Sequence, residues 1–499
     1  MTTTTTTGPS AQDGLQRGAI GLREVLFQSV CAMAPGAAIA ASVPAGAAFA
    51  GGALPLSVLV ALVACLFTAL AIGELARHLP SSGSVATYTA QGLHPAVGFL
   101  VGWGYVFVEL LVPPLLFLQL GFTVAGTLHA ESSSYSADLW WPWALVGAVI
   151  VLLAGYKGIT ASAKLGTVLG AFEIAVFLVL GILLVIKAGS HNTLSVFTTT
   201  HTPTDHKGVA GVIAGSVYTV LAFSGFEAAA PLAEEAKDPK RTIRRAVVGA
   251  TLGIGALYVF TTYAVDVAFG PGRFASFTTD STSPASWQGI ARASYGLFWV
   301  LVFLAVVNST VANANAGASV STRTAYALGR IRLLPRAVTV LHPTHRSPYL
   351  AVYAQFVIGV AVTLGLGFAY DPITAFLLVA TVIVIVVVLV YILCNLACVG
   401  FFTRKRREDL NPFLHVLVPL LGAVAFVPAL LTAAGIKAFS FVAELTSPIS
   451  YAGPIVITWL VLGAIYLVFL TAKHPERVRQ MSQVHLVDEL DAHEREVAG

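Results

Sequence analysis

Charge is what this chain has least of. Lys, Arg, Asp and Glu make up 10% of its 499 residues, against roughly 25% in a soluble domain, so a water-facing surface of ordinary size cannot be built from it. Neither sign dominates: 28 basic and 24 acidic residues leave a net charge of +4, too little to argue for a nucleic-acid partner. Cysteine is scarce as well. Cys31, Cys65, Cys394 and Cys398 all fall inside apolar runs, where a free thiol behaves as a small hydrophobe and no disulfide framework is implied. No glycine-rich phosphate loop appears, which disfavours a nucleotide-driven pump. His342 and His345 have no Cys or acidic partner at metal-binding spacing, so no metal site is expected. No nucleophile–base pair marks an enzyme, and no cofactor is implied. The Thr-rich stretch from Met1 to Gly18 lacks the apolar core of a signal peptide and reads as a disordered tail.

Apolar residues are abundant instead, at 57% of the chain. Runs of about 20 such residues, long enough to cross a bilayer, read as helices over 21–49, 53–79, 95–128, 139–156, 160–187, 208–233, 243–269, 292–328, 348–368, 371–402, 412–436 and 452–472. Basic residues collect in cytoplasmic loops. With the N-terminus inside, this count leaves only Lys187, Lys207, Arg273, Arg292 and Lys437 of the 28 basic residues outside. The expected fold is an all-α polytopic membrane protein of twelve transmembrane helices in the plasma membrane, with both termini cytoplasmic and the lipid bilayer as its surroundings.

Two of these helices carry interruptions at matching places. Helix 1 passes through Met33-Ala34-Pro35-Gly36-Ala37 and helix 6 through Phe223-Ser224-Gly225-Phe226-Glu227. Pro removes a backbone donor and clashes with the preceding turn, and Gly relaxes the backbone. Paired broken helices point to the site of an inverted-repeat transporter, although Gly and Pro are common in membrane helices generally. A break at mid-membrane frees backbone groups that are tolerated only beside a cavity. Helix N-termini then attract carboxylates, and freed carbonyls attract ammonium groups or cations. A zwitterionic amino acid and a diamine both satisfy that description.

Four strings carry a family resemblance. Gly73-Glu74-Leu75-Ala76-Arg77-His78-Leu79-Pro80-Ser81-Ser82-Gly83-Ser84 links helices 2 and 3, and Gly98-Phe99-Leu100-Val101-Gly102-Trp103 follows. Ala233-Glu234-Glu235-Ala236-Lys237-Asp238-Pro239 continues helix 6, and Thr322-Arg323-Thr324-Ala325-Tyr326 ends helix 8. Together they resemble the amino acid–polyamine–organocation permease family. The resemblance implies a leucine-transporter-like fold: a first inverted repeat of five helices (19–187), a second (208–402), helices 11 and 12 (412–472) and a cytoplasmic tail (473–499). It also implies secondary transport of amino acids by alternating access, commonly coupled to protons as symport or exchange. Ala34-Pro35-Gly36 in helix 1 and Glu109 followed by Pro113 in helix 3 are closer to the putrescine-importer subset, so a polyamine or other organic amine is the alternative substrate. A channel is the distant alternative, since the polar residues form no continuous stripe.

Glu109, Glu173 and Glu227 lie well inside apolar runs, where an ionised side chain costs at least ~2.5–3.5 kcal/mol. All three are coupling candidates. Glu227 belongs to the helix 6 break, and Glu109 would meet it if helix 3 packs beside helix 6. Two carboxylates sharing one site cannot both ionise cheaply, so the pair would hold a proton or await a cationic amine; a plain helix–helix bridge is the other reading for Glu109. Several proton-coupled relatives carry a lysine on helix 5 near the unwound helix 1. None stands mid-helix here, and Glu173 is the candidate substitute, or else a neutral core residue. Asn308, Ser309, Thr310, Asn313 and Asn315 make helix 8 polar. They serve either as substrate or ion contacts, with sodium the alternative coupling ion, or as glue between helices. Phe223, Phe226, Trp103 and Tyr105 are expected to gate the cavity, and Trp140, Trp141 and Trp143 to form an interfacial belt.

Overall fold

With no water to bond the backbone inside a bilayer, a spanning segment must close its hydrogen bonds on itself, and each apolar run becomes a helix. The computed structural model describes residues 18–480 apart from 158, 281, 346 and 437–445, with residues 159–166 described by their backbone only. The terminal stretches 1–17 and 481–499, including the tail read as disordered, lie outside the described residues, as do Lys437, Arg346 and Arg495. The twelve spans are α1 (Leu22–Ala45), α2 (Ala47–His78), α3 (Pro95–Glu131), α4 (Trp141–Lys157), α5 (Ile159–Ala188), α6 (Val209–Leu232), α7 (Pro239–Phe269), α8 (Phe298–Arg330), α9 (Tyr349–Tyr370), α10 (Pro372–Arg404), α11 (Phe413–Ala433) and α12 (Ile449–Lys473). Eleven are long and apolar enough to cross a membrane, and α4, at 17 residues, is the short one. It sits at the lower limit of about 17 residues that a bilayer accepts.

The structure divides one run that reads as continuous in the sequence. Residues 292–328 belong to two helices, Trp287–Tyr295 and α8, separated at Gly296 with φ 55. Apolar residues continue across that turn, so hydropathy alone gives no boundary. A further short helix, Ser84–Gly92, packs between α2, α3 and α10.

Packing pairs follow an internal symmetry that carries α1–α5 onto α6–α10. The contact of α1 with α7 has its counterpart in α6 with α2; α3 with α10 matches α8 with α5. Likewise α4 with α8 matches α9 with α3, and α5 with α7 matches α10 with α2, while α2–α7 and α3–α8 map onto themselves. This is the five-plus-five repeat. Outside it, α11 packs on α10, α2 and α6, and α12 on α10 and α3. Large apolar side chains such as Leu153, Ile186, Ile457, Ile465 and Val468 remain exposed, as expected of surfaces that meet lipid tails.

The end where Lys and Arg gather is closed by ion pairs. Arg323 Nε donates to Glu235 Oε2 at 2.6 Å, with both side chains under a tenth exposed. Arg330 and Ser82 donate to Glu234 Oε1 at 2.7 and 2.5 Å, and Arg244 binds Glu74 at 2.8 Å. Ile20 adds a parallel bridge to this end: its N–H donates to the Glu235 carbonyl, and its own carbonyl accepts from the Lys237 N–H. Removing one member of a buried pair leaves the other charge uncompensated, at a cost of about 3–5 kcal/mol. Arg323→Ala is therefore expected to lower the melting temperature in detergent clearly, and Arg323→Met with Glu235→Leu to recover most of the loss. An unchanged melting temperature in Arg323→Ala would contradict this account.

Candidate functional site

In α1 the helical ladder stops because Pro35 has no N–H to give and its ring excludes the carbonyl four residues back. The first half runs Leu22–Met33, Ala34 adopts the left-handed conformation (φ 48, ψ 64), and Pro35 begins the next turn. The sequence suggests Gly36 as the flexible residue; the structure assigns the left-handed turn to Ala34, at a cost of roughly 1–2 kcal/mol for a residue with a Cβ. Gly36 is required for a different reason. A Cβ there would lie 2.9 Å from the Ala305 carbonyl oxygen, 3.0 Å from Glu173 Oε2 and 3.1 Å from Ser309 Cβ. The Gly36 N–H, freed at the start of the second half, donates to Glu173 Oε2 at 2.9 Å. Beside the break, the Met33 carbonyl accepts from the Tyr258 hydroxyl at 2.6 Å and the Ala37 carbonyl from Gln119 Nε2 at 3.0 Å.

In α6 the regular helix ends at Phe223. Ser224 is extended (ψ 133), Gly225 is left-handed (φ 108), and Phe226–Leu232 continues as a 3₁₀ stretch. Glu227 folds back on this turn, its Oε2 accepting from the Gly225 N–H at 3.2 Å and from the Tyr391 hydroxyl of α10 at 2.7 Å. Ser29 ties the two breaks together by donating to the Phe226 carbonyl (2.7 Å) and accepting from the Ala229 N–H (3.2 Å).

Between the breaks lies a hollow of about 540 Å³ counted out to its open mouth. Of the residues singled out in the sequence, Met33, Ala34, Ala37, Glu109, Ser224, Gly225 and Asn313 line it. Gln119, which the sequence reading passed over, lines it too, and no Lys, Arg or His stands in its wall among the described residues. Glu109 is 5% exposed, with the buried Tyr105 beside its carboxylate. Glu227 and Glu173 are fully buried behind the two breaks. Glu227 takes its side-chain hydrogen bonds from Tyr391 and Gly225 and none from Glu109, and α3 packs chiefly on α8 and α10. Glu173 Oε1, Glu227 Oε1, Ser309 Oγ and Asn313 Oδ1 have no hydrogen-bond partner among the described residues.

Several expected contacts point elsewhere. Neither Pro35 nor Gly36 lines the cavity, and Gly36 sits against Ala305, Glu173 and Ser309. Asn308 donates to the Leu169 carbonyl of α5, a bond between helices, and Thr310 donates to the Val307 carbonyl of its own helix. Phe223 packs edge-on against Tyr258, and Phe226 packs on Tyr391. Trp103 turns away and stacks on Trp459 of α12 at 4.6 Å, each indole donating to the other's backbone carbonyl. In the tryptophan trio only Trp141 is exposed; Trp140 is buried and Trp143 donates to the Tyr135 hydroxyl.

Two further hollows follow the cavity along α3. Gln119, Phe122 and Thr123 meet Gln288 of the Trp287–Tyr295 helix, and Thr127 and Glu131 then meet Gln288 and Arg292. Glu131 and Arg292 form an ion pair at the outer opening. A second hollow of about 530 Å³, between α3, α4, α8 and α9, contains no residue of either break.

Gly225 is the most constrained position of the site. A Cβ there would lie 2.6 Å from the backbone carbon and oxygen of Ala32, on a backbone conformation that L-residues avoid. Gly225→Ala is expected to reduce uptake in membrane-inserted protein at least tenfold, and Gly225→Leu to reduce it to background. Gly253→Ala, whose Cβ would meet nothing within 4 Å, is expected to behave as wild type. Uptake by Gly225→Leu equal to wild type would remove Gly225 from the site.

The amino acid permease family model matches residues 24–485. The low-affinity putrescine importer PlaP of Escherichia coli (strain K12) is 26% identical over 444 residues, spanning 87% of this chain and 89% of that protein. The branched-chain amino acid permease BcaP of Bacillus subtilis (strain 168) is 27% identical over 325 residues, spanning 62% and 66%. The glutamate/serine transporter AimA of the same strain is 24% identical over 332 residues, spanning 62% and 59%. Because the match begins inside α1 and runs past the end of α12, the chain belongs to the amino acid permease family, a family of membrane transporters and not of enzymes.

Proposed function

We propose that the chain is a secondary active transporter that carries an amino acid or a small organic amine across the plasma membrane by alternating access, with both termini cytoplasmic. The observation that carries this reading is the cavity between the two breaks, where backbone groups freed at mid-span border the carboxylate of Glu109. Access is one-sided. Hollows follow α3 from Gln119 to the Glu131–Arg292 pair, while the basic end is closed by Glu235–Arg323 and Glu234–Arg330. A channel needs a path open at both ends at once, so one-sided access favours a carrier. Alternation then requires the repeats 19–187 and 208–402 to shift against each other, breaking these pairs as the Gln119 side closes.

Protons are the proposed coupling ion, with Glu227, Glu109 and Glu173 as their carriers. All three carboxyl groups are buried at membrane depth, and one oxygen of Glu227 and one of Glu173 have no partner among the described residues. A carboxyl group so placed is costly when charged, and gaining or losing a proton changes what it can bind. Sodium is the alternative, with Ser309 and carbonyls near Ala34 as its oxygen ligands.

Proteoliposomes separate these roles. Wild-type protein should accumulate labelled substrate under an inward proton gradient. Glu227→Gln keeps the shape and the hydrogen bond to Tyr391 but cannot ionise. If Glu227 relays protons, the variant should exchange substrate across the membrane and fail to concentrate it. If it contacts an amine, the apparent KM should rise by a factor reflecting a lost charge-assisted bond of about 1.5–3 kcal/mol. Accumulation with unchanged KM and pH dependence would make Glu227 a structural residue.

A further inference from the structure

A zwitterionic amino acid brings a carboxylate as well as an ammonium group into such a site, and a broken helix offers the carboxylate its natural seat: the backbone N–H groups and positive dipole end at the start of the second half. In this chain both seats are filled from within. The Gly36 N–H at the α1 break donates to Glu173 Oε2 at 2.9 Å, and the Gly225 N–H at the α6 break donates to Glu227 Oε2 at 3.2 Å. The Glu173 contact is tight enough that even a Cβ on Gly36 would crowd the carboxylate at 3.0 Å. Among the described residues no guanidinium, ammonium or imidazole group stands in the cavity wall to receive an anion, and the ionisable group in that wall is Glu109. Among the described residues the site therefore presents one carboxylate, Glu109, and amide groups, including Asn313, whose Oδ1 has no hydrogen-bond partner among them, and no cationic side chain.

We propose that the central cavity takes aliphatic amines that lack a carboxylate, and that Glu173 sets this preference by occupying the place of the substrate carboxylate at the start of the second half of α1. The inference rests on the reading of the cavity as the transport site. An incoming carboxylate would find the N–H at each break already taken, by Glu173 and by Glu227, and would face Glu109 across the cavity, a group of its own sign whenever it is ionised, in a medium that screens poorly. A diamine meets Glu109 as a counter-charge, and its methylene stem suits the apolar wall formed by Val112, Leu116, Leu221 and Phe376. Glu173 thus acts as a specificity-determining residue without itself lining the cavity.

The test uses full-length protein in nanodiscs and three ligand pairs that differ by one carboxylate: putrescine and ornithine, cadaverine and lysine, agmatine and arginine. Equilibrium binding should favour the amine over its parent amino acid at least tenfold in two or more pairs. In Glu173→Ala, which vacates the seat, that ratio should shrink at least fivefold, mainly because the amino acids gain. A purely structural role for Glu173 would weaken both members of a pair alike and leave the ratio unchanged. Where Glu173→Ala does not insert stably, Glu173→Gln serves, since it keeps an acceptor for Gly36 and loses the charge. Parent amino acids, or leucine, binding as well as the amines in wild type would overturn the inference and leave the transporter reading intact. Binding of neither class would overturn both. Discrimination in wild type with an unchanged ratio in both variants would overturn the role given to Glu173.

Discussion

A backbone N–H or C=O without a partner costs several kcal/mol in hydrocarbon, and the two mid-span breaks create a set of such groups at the worst depth. The surrounding structure is the set of partners that meets them. The Gly36 N–H is taken by Glu173 on α5, the Met33 carbonyl by Tyr258 on α7, the Ala37 carbonyl by Gln119 on α3, and the Phe226 carbonyl by Ser29 on α1. The Gly225 N–H is taken by Glu227, which Tyr391 on α10 then holds. Five helices thus converge on the breaks because each brings one hydrogen-bonding side chain to a backbone group that has lost its ladder. The cavity is the space these partners leave between them.

Charge is divided in depth. At the end rich in Lys and Arg, every buried carboxylate has an arginine: Glu235 with Arg323, Glu234 with Arg330, Glu74 with Arg244. At the depth of the breaks the pattern reverses, and among the described residues Glu109, Glu173 and Glu227 have hydroxyl and amide neighbours but no basic partner. Paired charges hold a closed end shut and release it only when geometry changes. Unpaired carboxylates in a poorly hydrated site are poised to receive a proton or a cation. A carrier needs both kinds of arrangement, one for the gate and one for the cargo.

Much of this was legible in the sequence because hydropathy and charge are local properties. The helix count, the basic-loop alternation and the position of both breaks follow from runs of residues and from Pro35, Gly36, Ser224 and Gly225. What was not legible depends on which distant residue a side chain meets. Glu173 stood out as a carboxylate in an apolar run, but its bond to Gly36 crosses 137 positions. Gln119 and Tyr391 stand among apolar neighbours in their helices and gave little signal of their roles. Trp103, expected at the cavity, instead pairs with Trp459 on α12, a helix outside the repeat. The left-handed residue of the α1 break is Ala34 and not Gly36, because proline fixes where the ladder stops and the residue before it must absorb the turn. Gly296 divides the run over 292–328 through a positive φ that an uninterrupted apolar pattern conceals.

The central claim, that the cargo binds between the two breaks, is open to a direct chemical test because all four native cysteines are buried. A cysteine placed in the cavity wall at Asn313 and another in the second hollow at Gln355 can each be labelled with a small cationic thiol reagent, with and without saturating putrescine. The account predicts that the amine slows labelling of Asn313→Cys at least tenfold and leaves labelling of Gln355→Cys unchanged. Equal labelling of Asn313→Cys in both conditions, or protection confined to Gln355→Cys, would contradict it.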